Sequence, residues 1–207
     1  MQQIVLSGRF TAKAEHRAAI ADLARELYGP SRAEAGCKSY ACFAQTDVPD
    51  AMLFFEEWAS EAALDEHFAK PYFADFMQRF PPLIVGSPAI TIFNTTVVSD
   101  AEPGNPQTPI VLAGRFTAKA ARRDELVALA QSMLAPSRAE DGCVSYDFLE
   151  EVGAPGNFLF FERWRDKAAL DTHFAGAGFA KFAQAFPALI EGDADIRLFA
   201  VSTERTL

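Results

Sequence analysis

The chain has only three cysteines, three histidines and two tryptophans in 207 residues, and each scarcity narrows what it can be. Cys37, Cys42 and Cys143 are too few for the disulfide framework of a small secreted domain. No apolar run approaches the ~20 residues that a membrane-spanning helix requires. Residues 1–10 lack the charged, apolar and cleavage regions of a signal peptide, so a soluble cytoplasmic protein is expected. Positive charge is also short. Nineteen Lys and Arg against 28 Asp and Glu leave a net charge of −9, which repels a phosphate backbone and an anionic bilayer alike. Neither nucleic acid nor a membrane is an expected partner. No closely spaced set of metal ligands is present, so no metal site is expected either.

What the chain does have is itself, twice. SGRFTAKA at residues 7–14 returns as AGRFTAKA at 113–120, and HFA at 67–69 returns at 173–175, always 106 positions later. The offset holds without a gap over residues 4–93, with about half of the aligned positions identical. A unit of roughly 100 residues is a domain rather than a solenoid repeat of ~20 to 50. With 50% hydrophobic residues, each copy can build its own core. Between them, residues 99–109 (SDAEPGNPQTP) carry Pro103, Pro106, Pro109 and Gly104 and read as a linker. The expected domains are therefore residues 1–98 and 110–207, an intramolecular pseudo-dimer that leaves a further homo-oligomer open.

Within a copy, residues 4–10 form an apolar run with Gly8 inside it, which predicts a strand with a bulge or with room left beside it. Ile20, Leu23, Ala24, Leu27 and Tyr28 recur at the spacing of one helix face, and Pro30 is expected to break that helix. Strands follow at 37–45 and 52–58, joined by a turn near Pro49. Ser60, replaced by Asp166 in the copy, stands where a helix cap is needed. The helical segment runs through Leu64, His67 and Phe68, pauses near Pro71, and resumes with Phe73, Phe76, Met77 and Phe80. A fourth strand is expected at 89–98. The order βαββαβ predicts an α+β fold of two ferredoxin-like domains, helices on one side of each sheet. The strands IVLSGRF and LFFE are apolar on both parities, so the bare faces must also be covered. Two domains packed sheet to sheet as a pseudo-dimeric α/β barrel satisfy that need, each keeping an apolar hollow under its own helices.

In this order and in duplicate, the segments SRAEAGCKSY (31–40), FFEEW (54–58), ALDEH (63–67) and FADF (73–76), repeated as SRAEDGCVSY, FFERW, ALDTH and FAKF, carry a resemblance. Each half resembles an antibiotic biosynthesis monooxygenase domain, also called the quinol monooxygenase type, of the dimeric α/β-barrel superfamily. The resemblance covers nearly the whole chain except the linker. It implies oxidation of a small aromatic phenol, quinol or anthrone by dioxygen without metal, flavin or haem. Such a protein has to take a proton, steady the resulting anion and hold the ring in a dry pocket.

Several residues can meet those needs, and each has a plainer reading. His67 and His173 can accept a proton at neutral pH, or can be packing residues on a helix face. Glu56 and Glu162 share a strand face with Phe54, Trp58, Phe160 and Trp164; among aromatics a carboxylate can act as a base, or be tied by Arg9, Arg115 or the histidine. Trp58 and Trp164 can stack on a flat substrate and donate the indole N–H, or fill the core. Tyr40 and Tyr146 offer a hydroxyl to a developing oxyanion. Arg9 and Arg115 offer a cation to an anionic oxygen, or form surface ion pairs. Cys37 and Cys143 have no base near in sequence and read as reduced, unreactive thiols. The lobes differ at Lys70-Pro71-Tyr72 against Gly176-Ala177-Gly178 and at Tyr28 against Leu134, a reason for unlike ligand preferences. Rival functions are an aromatic-ligand-binding or stress-response barrel without catalysis, haem degradation, and a metal enzyme. Haem degradation is disfavoured because the first strand lacks the expected asparagine and the later helix the expected histidine.

Overall fold

A computed structural model of the chain describes residues 3–95 and 110–201. The expected linker lies outside the described residues. Two compact units are built mainly on residues 3–93 and 110–198. In the first, the elements run β1 (Ile4–Ala12), α1 (Arg17–Arg32), β2 (Cys37–Gln45), β3 (Ala51–Trp58), α2 (Glu61–Phe68), α3 (Pro71–Arg79) and β4 (Ile84–Thr95). The second repeats them as β5 (Ile110–Ala118), α4 (Arg123–Arg138), β6 (Cys143–Glu151), β7 (Asn157–Trp164), α5 (Lys167–Ala175), α6 (Ala177–Ala185) and β8 (Ile190–Val201). Each half is ferredoxin-like, with strand order β4-β1-β3-β2 in the first and β8-β5-β7-β6 in the second.

Strand register places the candidate residues. Antiparallel pairing sets Leu6 opposite Glu56 and Glu56 opposite Tyr40, so the three lie in one row across β1, β3 and β2. The rows on either side are Gly8, Phe54 and Cys42, and Ile4, Trp58 and Cys37. In the copy the central row is Leu112, Glu162 and Tyr146. Because side chains alternate along a strand, all of these rows face the helices. There they join Ile20, Leu23, Ala24 and Leu27 of α1 in one core. Leu126, Ala130, Met133 and Leu134 of α4 serve the second core. Burying each large aliphatic side chain stabilises by about 1.5–3 kcal/mol. Val5, Leu53, Phe55 and Phe43, on the opposite sheet face, are buried as well. The lack of alternation in LFFE is thus matched by a sheet dry on both sides.

Two expectations about element limits are corrected, and of the two readings of Gly8 the bulge is set aside. Pro30 and Pro136 do not break their helices, which continue to Arg32 and Arg138. A proline this close to a helix end forfeits a single backbone hydrogen bond, and the last turn is held from outside. The Arg32 guanidinium donates to the Tyr40 carbonyl at 3.1 and 2.7 Å. Arg138 does the same to the Tyr146 carbonyl at 3.0 Å. The fourth strand starts at Ile84 rather than at 89, because Gly86, with φ of 67°, and Pro88 look like loop residues in sequence yet sit inside the strand. The glycine in β1 makes no bulge, since Gly8 pairs regularly with Phe54.

The caps behave as expected. The Ser60 hydroxyl accepts from the Ala63 amide at 3.2 Å, and the Asp166 carboxylate accepts from the Ala169 amide at 2.8 Å. The pause near Pro71 is a full break, with the proline opening α3, where its missing N–H is harmless. A loop and a restarted helix swing α3 across the sheet and leave space beneath it.

Candidate active site

That space is an apolar cavity in each half. In the first it measures about 200 Å³, with Leu6, Gly8, Tyr40, Phe54 and Glu56 of the sheet as floor. Phe73, Phe76, Met77 and Phe80, spaced along one face of α3 and just beyond it, form the roof, and Ile90 of β4 stands at the side. The second cavity measures about 470 Å³ over Leu112, Gly114, Tyr146, Phe160 and Glu162. Its roof is Phe179, Phe182, Ala183 and Phe186. Gly8 and Gly114 are thus room left beside the strand. A Cβ at Gly8 would find its nearest neighbours at 3.7 Å, an ordinary contact, so any longer side chain there would grow into the cavity.

The carboxyl on each floor is the chemically notable group. Glu56 is 4% exposed, and its partner is the Trp58 indole, which donates to Oε2 at 3.0 Å. The Trp164 indole donates to Glu162 at the same 3.0 Å. Burial, which penalises the charged form, pushes both carboxyls up to about 7; hydrogen bonds from the indole and from the Tyr40 or Tyr146 hydroxyl oppose it only in part. A carboxyl poised near neutrality inside an apolar cavity has the properties of a general base. The tie considered from sequence, to Arg9, Arg115 or the histidine, is replaced by an indole two residues away on the same strand face.

The other candidates divide between wall and support. Tyr40 and Tyr146 line the cavities. Trp58 and Trp164 do not; they are fully buried behind the glutamates they hold. His67 and His173 are equally buried and also stand outside the lining. His67 Nδ1 lies 2.7 Å from Glu34 Oε1 and 3.2 Å from the Tyr72 hydroxyl, and its ring centroid is 4.6 Å from that of Trp58. Burial holds the His67 imidazole below its ordinary range despite Glu34, so the neutral ring donates from Nδ1 to the carboxylate. Nε2 of both histidines is buried without a hydrogen-bond partner. His173 Nδ1 meets Glu140 at 3.1 and 3.0 Å. Arg9 and Arg115 follow the cavity glycines directly, so their side chains leave from the opposite sheet face and reach neither cavity. The Cys37 and Cys143 thiols are pushed up to about 12, chiefly by burial, and stay protonated. Among the described residues no cluster of three or more His, Cys, Asp or Glu converges to hold a metal ion. Nor is any described helix long and apolar enough to cross a membrane.

Glu34 and Glu140 were not singled out from sequence. They belong to the repeated SRAE segment, but 33 residues separate each from its histidine, and no local spacing announces the pair. The lobe differences proposed from sequence are also displaced. Tyr28 and the 70–72 segment do not line the first cavity, and Tyr28 instead accepts the Cys42 amide at 3.1 Å.

A duplicated ferredoxin-like sheet with a buried carboxyl under an aromatic roof defines a class of small α+β ligand-pocket domains, and comparison with known proteins makes the class specific. The sequence profile of the antibiotic biosynthesis monooxygenase family matches residues 3–79 and again 109–185, so the chain belongs to that family, with its domain in tandem. YcnE of Bacillus subtilis, named as a candidate monooxygenase, is 36% identical over 87 residues, 42% of this chain and 92% of that protein. Among solved structures, a candidate monooxygenase of Lactobacillus acidophilus superposes with a TM-score of 0.85 at 14% identity, covering 98% of this chain and 95% of that one. An anthrone oxidase-like protein gives 0.66 at 16% identity over 97% and 91%. At these identities the two structures testify to fold alone.

Proposed function

We propose that the chain is a cofactor-independent monooxygenase acting on small electron-rich phenols, quinols or anthrones, with Glu56 and Glu162 as the bases. The observation that carries this reading is the placement of a buried carboxyl, held by an indole N–H, on the floor of an otherwise apolar cavity, where burial raises its pKa toward 7. Dioxygen reacts poorly with closed-shell molecules, so the protein's task is to turn the substrate into an electron-rich anion. For an anthrone, the carboxylate takes a proton from the ring methylene. The carbanion passes one electron to dioxygen, the radical pair combines into a carbon-bound peroxide anion, and the carboxyl returns its proton to make the hydroperoxide. Loss of water, with the second methylene hydrogen leaving as a proton, yields the ketone; one oxygen atom stays in the product and the other leaves as water.

Each wall group has a part in this scheme. Once the carboxyl has taken the proton, the Tyr40 or Tyr146 hydroxyl, which hydrogen-bonds the charged glutamate in the resting site, turns its single hydrogen to the oxyanion form of the substrate. The phenylalanine roof excludes water, which would compete for the anion. Trp58 and Trp164 hold the carboxylate in place, and the Glu34–His67 and Glu140–His173 pairs fix the ring beside each indole. The histidines are positioning residues in this reading rather than the bases.

Oxygen uptake with a panel of hydroquinones and anthrones tests the proposal. Wild type should consume oxygen, and the Glu56→Gln/Glu162→Gln protein should lose about 100-fold or more of the rate, the usual scale for a general base. Tight binding of the panel with no uptake would instead favour a non-catalytic carrier, and uptake unchanged in the double variant would remove the glutamates from the mechanism.

A further inference from the structure

The two cavities share their chemistry and differ in size. Glycine, tyrosine and glutamate of the floor are the same in both, as are the three phenylalanines of the roof. The volumes nevertheless stand at about 200 and about 470 Å³. Three residues of the first lining change in the copy, one of them Ser87, whose counterpart Asp193 stands outside the second lining. Met77 in the first roof becomes Ala183 in the second, and Pro88 on β4 becomes Ala194 on β8. Met77 is 47% exposed, so its side chain forms the rim of the cavity rather than its depth. It carries three heavy atoms that alanine lacks.

Resting on the function proposed above, we infer that the lobes are graded by substrate size, the first taking a single substituted ring and the second a fused polycycle, with Met77 and Ala183 as the selecting residues. A cavity of about 150 Å³ lined by aliphatic and aromatic side chains holds one benzene molecule. On that scale the first cavity fits one ring with its substituents, and the second has room for about three fused rings. The mouths lead to the same conclusion. Met77 lines the first cavity together with Ile90 of β4, and Ala183 lines the second together with Ile196 of β8, so this edge carries three more heavy atoms in the first lobe. A flat ring system long enough to reach this edge therefore meets the thioether chain of Met77 in one lobe and only the methyl group of Ala183 in the other.

Anaerobic titration calorimetry with hydroquinone and with 1,8-dihydroxyanthraquinone, a three-ring probe that oxygen leaves unchanged, reads this grading directly. Wild type should bind two molecules of hydroquinone per chain and one of the three-ring probe. Met77→Ala should raise the three-ring stoichiometry to two. Ala183→Met should weaken the single three-ring site at least ten-fold, and Gly114→Leu, which plugs the second cavity from its floor, should abolish it while sparing one hydroquinone site. Two equivalent three-ring sites in wild type, or a stoichiometry of one that survives both Gly114→Leu and Ala183→Met, would overturn the grading while leaving the proposed function intact. If neither probe binds at all, the proposed function falls, and the grading with it.

Discussion

Replacing Glu56 and Glu162 by glutamine should make the protein more stable and less active at the same time, with a stability gain that depends on pH. Glutamine has the shape of the protonated acid, and its amide oxygen can still accept the indole hydrogen bond of Trp58 or Trp164. In wild type the folded-state carboxyl titrates at about 7 against an ordinary value of 4.5. Between those values the folded state binds more protons than the unfolded one, so stability falls as pH rises, and the loss is complete above about 7. At about 1.4 kcal/mol per pH unit, the interval comes to about 3 kcal/mol for each carboxyl. At pH 3.5, below both values, the side chain is neutral in the folded and unfolded chain alike, and the variant and wild type should unfold at similar urea concentrations. At pH 8.5 the variant should be the more stable by up to about 3 kcal/mol per lobe. The buried His67, whose pKa is lowered, acts in the opposite direction, its contribution being lost as pH falls through 6.5. That contribution is present in both proteins and cancels in the difference. A difference that does not change with pH, or a variant weaker than wild type at pH 8.5, would refute the reasoning.

In kinetics, log kcat/KM should rise with pH through an inflection near 7, because the base works only when deprotonated. Trp58→Phe with Trp164→Phe removes the N–H that favours the charged form and should move that inflection upward in a pH–rate profile. Gly36→Ala should destabilise the first lobe by about 1–3 kcal/mol in urea unfolding, since its Cβ would sit too close to the Cβ of Ala63 to be accommodated without backbone movement. Gly142→Ala should cost more, because the φ of 87° there adds strain to its crowding against Ala169.

Much of this architecture was legible in the sequence because it is written in periodicity. The 106-residue offset, the helix face of Ile20, Leu23 and Leu27, and the doubly apolar strands each have one physical interpretation, and the structure follows it. The limits of elements were less legible where tertiary contacts override a local signal. Pro30 stays helical because Arg32 anchors the turn to the Tyr40 carbonyl, and no window of sequence contains that contact. The site was half readable. Period-two spacing correctly set Glu56 and Trp58 on one face, and it also allowed Arg9 to be recognised as facing the other way, had the parity of Gly8 been followed one residue further. The Glu34–His67 pair and the selecting position at Met77 join segments far apart in the chain, and only the crossing of α3 over the sheet reveals them.

The account rests on a carboxyl that stays protonated well above its ordinary range in each lobe. Carbon-13 NMR titration of protein labelled at the glutamate side-chain carboxyl carbons, with Glu56→Gln and Glu162→Gln to assign the signals, measures it without any substrate. Two resonances should titrate near 7, and each should vanish with its own substitution. Glu56 and Glu162 titrating together with the surface glutamates, near 4.5, would contradict the account.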